Sequence, residues 1–246
     1  MDRTLIKTKK QQFDEPVPLL AHLGELRKGL VYSVIAIFLC SIAVYSKVEW
    51  ILRDITRPVG KLYFLSPFEA FWAKIKIAFF AGIFLSMPVV LYQIWSFVQK
   101  GLFSKEKRFI LSISIVSFLL FILGAGFCYF FILPVGVKFL LASGSEVLLP
   151  MISISRYLAF VFGLVFSFGM VFELPLVIGF MVKVGILKSQ TLTRQWRFAV
   201  VIIFIAAAAL TPGPDIFSQL LMAGPLLILY GASIFVAKII ERKKKA

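Results

Sequence analysis

The sequence predicts an all-α integral membrane protein with six transmembrane helices and both termini in the cytoplasm. Three observations lead to this fold class: composition, the length of the apolar runs and the distribution of Lys and Arg. Hydrophobic residues make up 60% of the 246 residues, and the mean hydropathy is +0.95. Soluble domains contain about 45–50% apolar residues, so composition already indicates a membrane protein.

Six apolar runs fit helices that cross the membrane, for which about 20 residues are needed. They cover about 29–46, 71–98, 109–133, 157–182, 198–210 and 216–237. Pro88, Pro175 and Pro225 fall inside runs, and we expect kinks there that give a concave, curved bundle. The fifth run spans only about 20 Å of helix against about 30 Å of hydrocarbon. It meets a Pro-Gly-Pro turn at 212–214, which predicts a hairpin of short fifth and sixth helices that thins the bilayer.

Positive charge is unevenly distributed between the two sides of the predicted bundle. The N-terminal segment, the second and fourth loops and the C-terminal tail together carry 19 of the 27 Lys and Arg residues. The positive-inside rule therefore places both termini in the cytoplasm. We expect one membrane domain, residues 1–246, with a cytoplasmic segment (1–28), a bundle (29–237) with periplasmic caps at about 47–70 and 134–156, and a basic tail (238–246).

Composition and motifs exclude several functional classes. The net charge of +15 is explained by orientation and contact with anionic membrane lipid, and nucleic-acid binding is not expected. Cys40, Cys128 and the single histidine do not form a metal motif. No motif of nucleotide hydrolysis or peptide cleavage is present, so we expect no catalytic residue, metal or cofactor. The polar N-terminal segment is neither a signal peptide nor a transit peptide, which indicates a bacterial protein.

Glu173 stands alone in the apolar fourth run. A lone acid within a membrane helix costs at least about 2–3 kcal/mol on insertion scales, and such residues commonly have a function. We expect its side chain to face protein or a water-filled cavity; the alternative is an acid near the interface that reaches water. Pro175 leaves the carbonyl of Val171 without its helical donor, which adds local polarity.

Glu25 and Glu106 are acids on a cytoplasmic face that is otherwise cationic, each at the start of a membrane helix. Either acid alone reads as an ordinary surface residue, paired for example with Lys107 or Arg108. Together, two carboxylates beside an apolar groove fit two guanidinium groups through bidentate hydrogen bonds. The aromatic residues Tyr92, Trp95, Phe97 and Phe103 read first as an interfacial belt.

The turn before the sixth run carries further polar residues. Asp215 is expected to cap the sixth helix, since Asp is a preferred N-cap. Gln219 lies one turn later within apolar sequence and is expected to hydrogen-bond to a neighbouring span. Thr211 is a weaker candidate of the same type.

Four blocks in order along the chain resemble the TatC family, the large subunit of the twin-arginine protein translocase. They are His-Leu-Gly-Glu-Leu-Arg at 22–27, Pro-Val-Val-Leu-Tyr-Gln-Ile-Trp-Ser-Phe at 88–97 with Gly-Leu-Phe at 101–103 and Glu-Lys-Arg at 106–108, Phe-Gly-Met-Val-Phe-Glu-Leu-Pro at 168–175, and Thr-Pro-Gly-Pro-Asp-Ile-Phe-Ser-Gln at 211–219. The resemblance implies a receptor for signal peptides with paired arginines. Such a receptor exports folded proteins across the bacterial inner membrane using the proton-motive force.

The resemblance also implies roles for individual residues. Glu25, Glu106, Arg27 and Phe97 correspond to positions that bind the signal peptide, and Glu173 to an acid in a concave pocket. The region of Thr211 and Gln219 corresponds to a contact with single-span TatA- and TatB-type subunits, in a complex that also contains further copies of the receptor. This chain departs from the family at Gly29, where many members have a basic residue, and in the turn 212–214, which is longer by one residue.

A proton- or ion-coupled secondary transporter that uses Glu173 is the alternative reading. It is disfavoured because the sequence contains no visible repeat and no pair of broken spans. An intramembrane enzyme is a third class, for which no nucleophile–base or metal set is found.

Overall fold

The computed structural model of the protein describes residues 19–100, 107–142, 151–210 and 216–245. The helices are α1 (Leu19–Tyr45), α2 (Val48–Thr56), α3 (Pro67–Lys100), α4 (Lys107–Phe127), α5 (Leu133–Ala142), α6 (Ile154–Phe172), α7 (Leu174–Val184), α8 (Ser189–Arg194), α9 (Trp196–Leu210) and α10 (Ile216–Lys245). Within these ranges, five helical stretches are long and apolar enough to cross a membrane, and α9 is a shorter apolar helix. The all-α class and the six membrane helices are confirmed.

Helix α1 packs antiparallel against α3, and small residues set the closest approach. A Cβ at Gly82 would lie 2.7 Å from the backbone of Ser41, so the two helices touch main chain to main chain there. Ser41 directs its hydroxyl to the carbonyl of Ile37, at 2.7 Å, and thus presents no unpaired donor at this crossing. Toward the other end of the pair, Gly29 faces the side chain of Gln93.

The centre of the bundle is the crossing of α4 with α6. A Cβ at Gly124 would lie 2.6 Å from the carbonyl oxygen of Phe168, and one at Gly169 would lie 2.5 Å from the ring of Phe121. Each helix thus has a glycine at the point where the other helix approaches most closely. Because Phe121 and Phe168 are almost completely buried, this crossing is dry and close-packed.

The third span is longer than its apolar run predicted. Helix α4 continues through a π-helical turn, Cys128–Ile132, directly into α5. The N–H of Leu133 bonds to the carbonyl of Cys128, five residues earlier, and Pro134 follows with no N–H of its own. The wider turn thus lies directly before a residue that cannot donate a backbone hydrogen bond. The predicted cap at 134–156 therefore begins as a continuation of the membrane helix.

The fourth span is interrupted next to Pro175, where a kink was expected. Helix α6 ends at Phe172 and α7 begins at Leu174, so Glu173 is the single residue between them. Pro175 lies in the first turn of α7, where its missing N–H is tolerated. Helix α7 ends at Gly185, whose φ of 94° is the left-handed conformation that glycine adopts most readily.

The fifth and sixth helices differ in length, and the prediction that both are short was wrong for the sixth. Helix α9 has 15 residues, but α10 has 30. The apolar run of α10 ends near Ala237, and the helix continues through the basic residues up to Lys245. Lys, Arg and Glu are good helix formers, so a helix need not end where the hydrocarbon ends. Local thinning of the bilayer around α9 stays a prediction. Helix α1 likewise begins at Leu19, ahead of its apolar run.

Helix α2 lies in the segment expected to form a cap on the outer face, and polar contacts hold it on the bundle. The hydroxyl of Tyr157 donates to the carbonyl of Ile55 at 2.8 Å, and that of Tyr129 donates to Asp54 at 2.5 Å. Glu49 forms an ion pair with Lys74 of α3 at 2.5 Å. This hydrogen-bonded ion pair lowers the pKa of Glu49.

Candidate functional site

Glu173 is buried inside the bundle and contacts α4. Only 6% of its surface is exposed. Its Oε2 accepts a hydrogen bond of 2.7 Å from the hydroxyl of Ser117, which is completely buried. The alternative of an acid that reaches water at the interface is therefore wrong, because the carboxylate points into protein.

The second carboxylate oxygen of Glu173 has no hydrogen-bond partner among the described residues. Buried polar atoms are normally paired, and one left unpaired inside a protein costs about 1–3 kcal/mol. A donor that forms a hydrogen bond to an unpaired acceptor inside a membrane span gains more free energy than it would in water. Glu173 thus has one oxygen held by Ser117 and a second oxygen that is enclosed by protein and has no partner among the described residues.

An apolar cavity of about 300 Å³ lies between α4, α7 and α10. Ile113 and Val116 line it from α4, and Pro175 and Phe180 line it from α7. Lys183 is the one charged residue among the described residues of its lining. Pro175 is the lining residue nearest to Glu173 in the chain, and Glu173 itself does not line the cavity.

The predicted signal-peptide residues of α1 and α3 lie at the same level of the bundle. Gly29 faces Gln93 across the antiparallel pair. One helical turn further toward this end, α1 carries Glu25 and α3 carries Phe97. Both side chains are half-buried, and Arg27 is exposed. The structure thus brings Glu25 and Phe97 to the same end of the helix pair.

Trp95 anchors that end of α3 to the rest of the bundle. Its side chain is 6% exposed, and its ring meets the edge of Phe180 with centroids 5.2 Å apart. It belongs to one buried cluster with Ile110 and Ile113 of α4. The interpretation of Trp95 as part of an interfacial belt is therefore wrong, because it packs in a core that joins α3, α4 and α7.

Gln219 forms the predicted hydrogen bond to a neighbouring span. Its Nε2 donates to the carbonyl oxygen of Phe204 on α9 at 3.0 Å. Glu106, Thr211 and Asp215 lie outside the described residues, and their expected roles stay predictions. Sequence reasoning missed Ser117; the only signal was a small polar residue within an apolar helix.

The sequence matches the family model described as Sec-independent protein translocase protein (TatC) over residues 21–225. The chain belongs to the TatC family. A TatC protein of Carboxydothermus hydrogenoformans is 45% identical over 235 residues, which cover 94% of this chain and 97% of that protein. A TatC protein of Aquifex aeolicus is 39% identical over 237 residues, which cover 93% of this chain and 98% of that protein.

A solved structure supports the same assignment at the level of fold. The crystal structure of a protein described as twin arginine translocase receptor TatC superposes with a TM-score of 0.79 at 37% identity, covering 89% of this chain and 99% of that one. TatC proteins are translocase subunits and not enzymes. Membership of this family, together with several apolar helices, makes the chain a multi-pass protein of the inner membrane. Membership of the TatC family also excludes the alternative function as a secondary transporter.

Proposed function

We propose that the chain is the signal-peptide receptor and core subunit of a twin-arginine translocase, exporting folded proteins with energy from the proton-motive force. The observation that carries the proposal is the common level of Glu25 and Phe97 at one end of the α1–α3 pair. The similar solved protein is itself described as a twin arginine translocase receptor. Two predicted recognition residues from separate blocks of the sequence thus lie in one region.

The chemistry of this region suits a peptide with paired arginines. The carboxylate of Glu25 accepts a guanidinium group through two parallel hydrogen bonds, with Glu106 as the predicted acceptor for the second arginine. Phe97 offers an aromatic face on which a guanidinium group stacks. Arg27 belongs to the predicted site through the family pattern.

The distribution of Lys and Arg supports one orientation of the chain in the membrane. The first turns of α1, the last turns of α3 and the basic end of α10 belong to segments rich in Lys and Arg. We place this end, with both termini, in the cytoplasm on the positive-inside rule. The signal peptide then meets Glu25 from the compartment in which cargo proteins fold.

Within the membrane, Glu173 serves as a polar contact for the signal peptide or for a helix of a partner subunit. Its second oxygen is the acceptor; because this oxygen is enclosed in the structure, binding requires the helices around it to move. The partners are single-span TatA- and TatB-type subunits, which meet the region of Thr211 and Gln219, and further copies of this chain complete the receptor complex. No cofactor takes part.

The test compares Glu25→Gln with Glu49→Gln. Glu49 is an acid of α2, in the segment expected on the outer face of the membrane. The purified full chain is titrated with a fluorescent signal peptide carrying Arg-Arg, and with the same peptide carrying Lys-Lys. A hydrogen bond to a charged group contributes about 1.5–3 kcal/mol, so Glu25→Gln should weaken Arg-Arg binding about 10- to 100-fold. Glu49→Gln should bind as the wild type does.

Two further measurements sharpen the result. The double variant Glu25→Gln/Glu106→Gln should also lose the preference for Arg-Arg over Lys-Lys, and wild-type affinity should fall as salt increases. Wild-type affinity in the double variant, with the protein still correctly inserted, would show that the paired arginines bind elsewhere.

A further inference from the structure

A polar cleft lies around α8, away from Glu25 and Glu173. It consists of two cavities of about 500 and 350 Å³ that share Gln190 and Arg194. The remaining lining residues are Thr191, Gln195 and Phe198 for the first cavity, and Ser189, Thr193 and Lys238 for the second. The cleft thus combines two cations with several amide and hydroxyl groups.

Hydrogen bonds to α10 fix the helix that forms the cleft. Both carboxylate oxygens of Glu241 accept from Ser189, one from its N–H at 2.7 Å and one from its hydroxyl at 2.6 Å. Further along α8, the hydroxyl of Tyr230 donates to the carbonyl of Leu192 at 3.0 Å. A helix of six residues has little stability alone, so these bonds form the cleft before any ligand binds.

The charge of the cleft suits an anion. Arg194 and Lys238 line it, and their side chains are exposed and accessible. The acid in contact with α8, Glu241, directs its two oxygens to Ser189. A guanidinium, an ammonium and the amide of Gln190 are the groups with which proteins bind phosphate oxygens.

Directly beside the cleft, α9 presents an apolar stripe. Phe198, Val201, Ile202 and Ile205 recur at helical spacing and are 71%, 56%, 64% and 64% exposed. Phe198 also lines the first cavity, so the stripe starts inside the cleft. An anion-binding cleft that continues into an exposed apolar stripe fits a ligand with an anionic head and an apolar chain.

We propose that this cleft is a binding site for an anionic phospholipid. The phosphate lies between Arg194 and Lys238, the polar part of the headgroup contacts Gln190 and Gln195, and an acyl chain follows the stripe on α9. The site is separate from the proposed signal-peptide site and does not depend on it. Its consequence is that α9 and α10 carry a specifically bound lipid in addition to the general lipid boundary.

The experiment uses the full chain purified in mild detergent, with bound lipid counted by native mass spectrometry during titration with phosphatidylglycerol. The test variant is Arg194→Gln/Lys238→Gln, and the matched control is Arg242→Gln/Lys243→Gln, which removes two cations from the same end of α10 outside the cleft. Each cation near a membrane surface contributes about 1 kcal/mol, so we expect a 10- to 30-fold loss of affinity in the test variant. The control should change less than about threefold.

Two ligand arms distinguish the source of the phosphate. Phosphatidylcholine should bind at least about tenfold more weakly than phosphatidylglycerol, and inorganic phosphate in excess should not displace the lipid, because it cannot use the apolar stripe. Equal loss in the control variant, equal binding of phosphatidylcholine, or displacement by inorganic phosphate would each overturn the proposal.

Discussion

Adding one methyl group at Gly124 should separate the two helices that hold the buried acid. An alanine Cβ there would lie 2.6 Å from the carbonyl oxygen of Phe168 and 2.6 Å from the Cγ of Phe172. Carbon contacts are most favourable at about 3.5–4.0 Å, so α4 and α6 must move apart. One of the two obstacles is main chain and cannot rotate away.

The energetic outcome follows from two opposing contributions. Overpacking a tight core costs about 1–3 kcal/mol, whereas alanine in a helix is favoured over glycine by about 1 kcal/mol. We expect Gly124→Ala to destabilise the protein by about 1–2 kcal/mol on balance, given a main-chain clash at the upper end of that range. The matched control is Gly126→Ala, on the same helix, where the new Cβ would meet no atom within 4 Å.

The assay is unfolding of the full chain in mixed micelles by increasing SDS, followed by loss of helical signal. Gly124→Ala should unfold at lower SDS than the wild type, and Gly126→Ala at equal or higher SDS. The displaced helix also carries Ser117, which lies on the same face two turns earlier, so the contact with Glu173 should weaken. Equal stability of the two variants would refute the argument that main-chain contact limits this crossing.

Two further predictions concern hydrogen bonds between helices. Ser117→Ala leaves both oxygens of Glu173 without a described partner; we expect a loss of about 1 kcal/mol, typical of such bonds in membrane proteins, in the same SDS assay, and Ser117→Thr, which keeps the hydroxyl, should restore part of it. Gln219→Leu removes the bond to the carbonyl of Phe204 and should lower the amount of single-span partner that co-purifies with the chain. Leu220→Ile, at the exposed neighbouring position, should retain the partner; retention by both variants would contradict the role of Gln219.

The sequence predicts well those features that depend on local chemistry. The short α9 follows from counting apolar residues. Proline was a weaker guide, since α6 and α7 are interrupted next to Pro175, whereas Pro88 and Pro225 lie inside the continuous helices α3 and α10. The length of α10 was missed because hydropathy measures how much of a helix lies in lipid and not where the helix ends. The π-helical turn was missed for a related reason, since an apolar run does not reveal how its backbone is bonded.

Contacts between distant helices could not be predicted from the sequence, and the hydrogen bond of Glu173 is the clearest case. Ser117 and Glu173 are 56 residues apart, and their bond exists because Gly124 and Gly169 allow α4 and α6 to approach closely. Nothing in the local sequence of Ser117 distinguishes it from Ser114, which bonds to its own helix at Ile110. Which of the two serines bonds to Glu173 depends on how α4 is positioned against α6.

The same reasoning connects the proposed peptide site with the buried acid. Trp95 lies two residues before Phe97 and packs on Phe180, which lies on α7 two turns after Glu173. Seven residues of helix span about 10 Å, so the contact between Trp95 and Phe180 lies about that far along α7 from Glu173. Such cores deform little. A peptide bound at the proposed site at the end of α3 would therefore lie at a fixed distance from Glu173, whose second oxygen is enclosed by protein.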